Sequence, residues 1–142
     1  NEIRNRLEQE LAKAHIEAKF TWDIGATENE MQEALLLIRQ AQWRWDFGVS
    51  SHGGSFHAPQ ETMRILGHGL NKVFQARMLI SKVLVAHGYT DNVPLPDITT
   101  KEKAQQYIGL DMAVEKADKD KFLKEIVPEW LQKAKANGRI VN

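Results

Sequence analysis

Residues 40–61 read QAQWRWDFGVSSHGGSFHAPQE, and this stretch decides the fold. A long amphipathic helix ends in Trp43-Arg44-Trp45-Asp46. Gly53-Gly54 then stops regular structure between His52 and His57, and Pro59 opens a second long helix. Glycine, lacking Cβ, lets the backbone turn sharply or approach something flat and bulky, and proline is tolerated in a first helical turn. Two imidazoles at a corner between helices are suited to binding a metal, accepting a proton or capping a helix end. No other stretch carries so much chemistry, and the remainder reads as scaffold around it.

Working back from the corner, Met31, Ala34, Leu35, Ile38, Gln42, Trp45 and Val49 recur at helical spacing and predict a helix over 27–51. Thr27-Glu28-Asn29-Glu30 opens it as a capping box, hydroxyl and carboxylate satisfying opposite groups of the first turn. Trp43 lies about 160° around the helix from Trp45, so the two indoles meet different neighbours. Ile3, Leu7, Leu11, Ala14 and Ala18 predict an earlier helix over 2–23, closed by Gly25.

Forward of the corner, a helix over 58–87 carries several apolar stripes. Leu66, Leu70, Val73, Ile80 and Leu84 form one, with Phe74, Met78 and Ser81 beside it. Ile65, Ala76, Leu79, Val83 and Ala86 form another. MLISKVLVA, residues 78–86, is apolar almost all round and requires cover on more than one side. Residues 90–96 are a proline-punctuated connection. Thr99-Thr100-Lys101-Glu102 offers a second capping box, for a helix over 100–108, and Phe122, Leu123, Ile126, Trp130, Leu131 and Ala134 mark a last one over 118–136, kinked or restarted at Pro128. No stretch reads as a strand, an internal repeat or low complexity. The expectation is an all-α fold of long antiparallel helices packed as a helical bundle, in a single domain over 1–142.

Composition narrows the function classes. Lys plus Arg equals Asp plus Glu, 19 against 19, which removes any electrostatic argument for nucleic acid or an anionic membrane. The chain has no cysteine, hence no disulfide, thiolate zinc site, cysteine nucleophile or C-x-x-C-H haem attachment of its own. No apolar run reaches the roughly 18–20 residues of a membrane span. The opening NEIRNRLEQELAKAH reads as helix interior rather than a signal peptide, so the chain is expected to be a piece of a longer polypeptide.

His15, His68 and His87 stand alone on helical surfaces or ends and read as structural, His87 before Gly88 suiting a C-terminal helix dipole. His52 and His57 flank Gly-Gly-Ser-Phe. Their spacing is not the i,i+4 pair of a helical zinc site, and no third ligand is evident. The HGG run lacks the G-x-S-x-G elbow that an esterase oxyanion loop would accompany. The plain alternative has His57 capping the helix that follows and His52 bonding a carbonyl at the end of the preceding one. Trp43-Arg44-Trp45-Asp46 has a plain reading too, as packed indoles and a helical salt bridge. Arg77, on the Leu70–Leu84 stripe, needs a carboxylate, a carbonyl or an acidic cofactor group.

Taken together, QWRWDFGVSSHGGSFHAPQE, the preceding LAKAHIEAKFTWDIGATENEM and the following GLNKVFQARMLISKVL closely resemble the C-terminal region of ammonia-forming cytochrome c nitrite reductases, pentahaem enzymes of the cytochrome c-552 family. The likeness continues through LPDITTKEKAQQYIGLDM and FLKEIVPEWLQKAKANG. The resemblance implies a periplasmic enzyme that reduces nitrite to ammonium with six electrons, carries haem c and calcium, and takes electrons from a quinol-linked cytochrome. It implies a homodimer through long helices, which would cover the surplus apolar surface. It also implies that His57, in the His-Ala-Pro motif, is the distal axial ligand of a bis-histidine haem, with its iron as the metal and His52 as the alternative ligand. Gly53 and Gly54 would let the corner approach the macrocycle.

The family's haem-attachment motifs, lysine ligand, catalytic residues and calcium site have no counterpart in this chain. It therefore contributes no catalytic residue and is expected to be inactive alone, its partner being the upstream haem-bearing part of the same polypeptide. Two other classes compete. One is a stand-alone helical interaction module without haem, its paired stripes binding a partner helix; the other is a small metal protein resting on the two loop histidines.

Overall fold

The computed structural model describes residues 2–51 and 53–139. In chain order it contains α1 (Glu2–Asp23), α2 (Glu28–Ser50), a single turn α3 (Gly54–His57), α4 (Pro59–Ala86), α5 (Lys101–Tyr107), α6 (Met112–Lys121), a π-helical turn (Phe122–Ile126) and α7 (Val127–Ala136). Among the described residues there is no strand, so the all-α expectation holds. The chain divides into two compact units, Asn1–Leu95 and Pro96–Asn142.

The first unit is a three-helix bundle. α1 stops where Gly25, at φ +102°, accepts a backbone conformation that a side chain would resist, and Gly25 N–H bonds the Trp22 carbonyl at 3.0 Å. Thr27 then caps α2. Its hydroxyl accepts from Glu30 N–H, and Glu30 Oε2 accepts from Thr27 N–H at 2.7 Å, the capping box expected there. α2 runs antiparallel to α1, and α4 returns alongside α1. Gly69 of α4 faces Leu7, and further along Arg77 reaches Glu17.

The core follows the helical stripes. Leu7, Leu11, Ala14 and Ala18 of α1 meet Met31, Ala34, Leu37, Ile38 and Ala41 of α2 and Leu66, Val73, Ala76, Ile80 and Leu84 of α4. Of the central α4 stripe, Leu66, Val73, Ile80 and Leu84 are buried and Leu70 half-buried, while Met63, Phe74, Met78 and Val85 are exposed. The two tryptophans part company, Trp43 being 74% exposed while Trp45 packs partly against the core. At the far end the rings of Phe20 and Tyr89 meet at a tilt of 57°, centroids 4.8 Å apart.

The second unit departs from the expected helix limits. Thr100, not Thr99, caps α5, accepting from Lys103 N–H. Asp97 instead holds Thr99 through both its N–H and its hydroxyl, so no second capping box forms. The last helical stretch begins at Met112 rather than 118, because Asp111 caps it by accepting from Ala113 and Val114 N–H at 2.9 and 3.4 Å. Pro128 acts on the turn before it. Its missing N–H breaks the α pattern, and the chain widens so that Val127 N–H bonds the Phe122 carbonyl. Phe122 and Trp130 meet edge to face at 5.4 Å. No described residue of this unit is buried.

Candidate functional site

The corner between α2 and α4 is built by backbone bonds. Ser51 N–H closes α2 on the Phe47 carbonyl at 3.0 Å, and Gly54 N–H returns to the Ser51 carbonyl at 3.0 Å. Gly53 stands at φ +81°, and its carbonyl accepts from both Phe56 and His57 N–H, at 2.9 and 2.8 Å. Ala58, non-helical ahead of Pro59 at φ −141° and ψ 60°, ends the turn, and its carbonyl receives Thr62 N–H at 3.0 Å as α4 begins. A Cβ on Gly54 would lie 3.1 Å from that of Ser51 and 3.4 Å from Thr62 Oγ1, so the turn packs directly on the first turn of α4.

His57 is the last residue of α3, and its side chain is exposed. The imidazole does not cap α4: the capping residue is Ala58, without a side-chain bond. Cδ2 of the ring lies 3.2 Å and Nε2 3.6 Å from where a Cβ on Gly53 would stand, and the Phe56 ring meets it edge to face at 5.2 Å and 90°. Phe56 is itself 84% exposed. His52, the alternative ligand of the sequence reading, lies outside the described residues.

Two shallow concavities adjoin this corner, and Arg64 lines both. His57, Pro59, Gln60 and Glu61 surround one; Trp43, Arg44, Phe47, Ile65 and His68 surround the other. Arg64 is held by Glu61, with Nε 2.7 Å from Oε2, and that hydrogen bond is the main reason the Glu61 carboxyl is lowered from its ordinary value. The second concavity, aromatic with a basic rim, was not evident in the sequence. It needs α2 and α4 side by side, and only the exposure of Trp43 hinted at it.

The other polar expectations resolve individually. Arg77 finds carboxylates: Nε and Nη2 reach Glu17 at 2.8 and 2.6 Å, and Nη1 bonds Glu10. Arg44 and Asp46 form no salt bridge; Arg44 donates to the Gln40 carbonyl at 2.7 Å, while Asp46 accepts from Gln42 Nε2 at 3.0 Å. Each bonds one helical turn back instead of to the other. His87 does end α4, but its Nε2 also meets the Glu30 carboxylate, 3.1 and 3.2 Å from the two oxygens. His15 and His68 are exposed. Among the described residues, no group of three or more His, Cys, Asp or Glu is placed to hold a metal ion. At the corner itself the described residues offer the His57 imidazole, and no helix among them is long and apolar enough to cross a membrane.

Comparison with known proteins bears on which metal centre that would be. Residues 1–138 match the cytochrome c552 family. Proteins named cytochrome c-552 from Bacteroides fragilis and Bacteroides thetaiotaomicron are 76% and 74% identical to the chain over 140 residues, and one from Parabacteroides distasonis is 68% identical over the same length. In each case the alignment covers 99% of this chain and 28% of the relative, so the chain spans little more than a quarter of their length.

Proposed function

The chain belongs to the cytochrome c552 family, and on that premise we propose that it is the helical, haem-ligating and dimerising region of an enzyme that reduces nitrite to ammonium with six electrons. His57 is the distal axial ligand of a bis-histidine haem c in this reading. The observation that carries it is the state of that imidazole: exposed at a built corner, without a side-chain hydrogen bond among the described residues, and with Nε2 beside the Cβ-less Gly53, 3.6 Å from where a Cβ there would stand.

The described residues fit one axial contribution to a haem, from His57. A neutral imidazole offers one nitrogen to iron. The chain has no cysteine to attach a macrocycle, so its thioether links belong to other parts of the whole protein. When bound, such a haem supplies an iron that changes oxidation state by one electron at a time. The part played by this chain would be to hold the imidazole and to keep the corner fixed on α4 through Gly54 and Thr62. The catalytic residues and the calcium site of the nitrite-reducing reading also lie elsewhere in the whole protein.

Met63, Phe74, Met78 and Val85, exposed along one side of α4, support a homodimer through that helix. A Phe74→Glu, Met78→Glu variant is expected to sediment as a smaller species than the parent. A periplasmic location and a quinol-linked electron donor belong to the same reading. The interaction module without haem is disfavoured, because the family match covers nearly the whole chain.

The deciding experiment is a pyridine haemochrome spectrum of the full-length protein with covalent haem counted per chain, followed by His57→Ala. Several c-type haems, one of which loses its low-spin spectrum in the variant, support the reading. Absence of covalent haem overturns it.

A further inference from the structure

We infer that Gly53 and Phe56 are positioning residues that set the orientation of the His57 ring and keep its Nε2 open to a metal. The inference rests on His57 being the haem ligand. A ligating histidine is ordinarily oriented by a hydrogen bond from its second ring nitrogen to a carboxylate, carbonyl or water. No such bond to His57 exists among the described residues, and an exposed imidazole with nothing to hold it would sample several rotamers.

Two nonpolar contacts hold it instead. On one side the ring lies against the backbone of Gly53, close enough that a methyl there would stand 3.2 Å from Cδ2 and 3.6 Å from Nε2. Any side chain at this position would turn the ring or stand beside the nitrogen that reaches outward. Gly53 also sits at φ +81°, so the conformation that brings its backbone under the ring is itself one that side chains resist. On the other side Phe56 meets the ring edge to face at 5.2 Å. Such perpendicular pairs are a favoured aromatic geometry.

Phe56 has no evident role in packing its own chain, being 84% exposed, yet it lies against the imidazole. Together the two residues fix the plane of the ring without using either nitrogen.

The plane of an axial imidazole governs the electron paramagnetic resonance g-values of a low-spin ferric haem, which gives a readout independent of catalysis. The test uses the full-length, haem-loaded protein and three variants. His57→Ala identifies the signal of the haem concerned, by its loss. Gly53→Ala and Phe56→Leu are then each expected to shift the g-values of that same signal and its midpoint potential, leaving the other haem signals in place. Phe56→Leu changes an exposed side chain, so it reports even if Gly53→Ala fails to fold. If His57→Ala removes a signal that Phe56→Leu leaves unchanged, the positioning role of Phe56 is overturned while the ligand assignment stands. The role of Gly53 is overturned in the same way by a folded Gly53→Ala with an unchanged signal. If His57→Ala removes no signal, the ligand assignment fails and the inference with it.

Discussion

Arg77 shows how one side chain joins two helices through charge. Its guanidinium sits between Glu17 and Glu10 of α1, and Glu10 is 7% exposed and also bonds Lys13 at 2.8 Å. Breaking a buried pair by removing one partner leaves the other charge desolvated and uncompensated. Arg77→Leu is therefore expected to destabilise the first unit by about 2–4 kcal/mol, reduced from the fully buried case because the arginine is partly solvated. Urea denaturation measures it, and an unchanged midpoint would contradict the account. Burial raises the Glu10 carboxyl, but the Lys13 bond and the Arg77 charge lower it by more, so it ends below its ordinary 4.5. A depressed carboxylate contributes stability above its unfolded value and loses it as pH falls through the folded one. The parent should thus lose stability progressively below 4.5, and Arg77→Leu should flatten that acid limb. The need of Arg77 for a partner was legible in the sequence because it lies on an apolar stripe. The partners were not, being 60 and 67 positions away.

Helix by helix, legibility followed how local the determining signal is. The Thr27–Glu30 box is complete within four neighbouring residues and was readable, and so was the stop at Gly25. α6 was missed at its start because MAVEKADKDK carries no sustained apolar stripe, and only the side chain of Asp111 marks the boundary. The corner was readable as a break, but α3 was not, since a single turn leaves no period to detect. For the glycines inside α4, Gly67 and Gly69, pattern cannot tell one that makes room from one that merely weakens a helix. The structure separates them. A Cβ on Gly69 would stand 2.7 Å from Cδ2 of the fully buried Leu7 and 3.3 Å from Arg44 Cβ, whereas one on Gly67 would meet only Ile3 Cδ1 at 3.9 Å. Gly67→Ala is expected to stabilise by about 0.5–1 kcal/mol through helix propensity. Gly69→Ala is expected to destabilise by about 1–2 kcal/mol net, overpacking outweighing that gain. Thermal melts of the two variants check the opposite signs.

For the molecule as a whole, burial is concentrated in residues 2–95, where every described core side chain resides. Residues 96–139 form three short helices and a π turn with no buried residue, and isolated short helices are marginal in water. A peptide of residues 96–142 should show little helical circular dichroism alone, while residues 1–95 should keep a cooperative transition; strong helicity in the peptide would refute this. One carboxylate has a wider reach in the first unit. Glu30 accepts from the N–H and hydroxyl of Thr27 and meets His87 where α4 ends. Fraying of the first turn of α2 and of the last turn of α4 therefore breaks contacts to the same carboxylate, both ends meeting at Oε2. In hydrogen–deuterium exchange the amides of residues 30–31 and 87–89 should behave as one opening unit, and Glu30→Ala should hasten both sets while leaving the Leu66–Ile80 amides slow. Two helix ends more than fifty residues apart in sequence would then share a single clock.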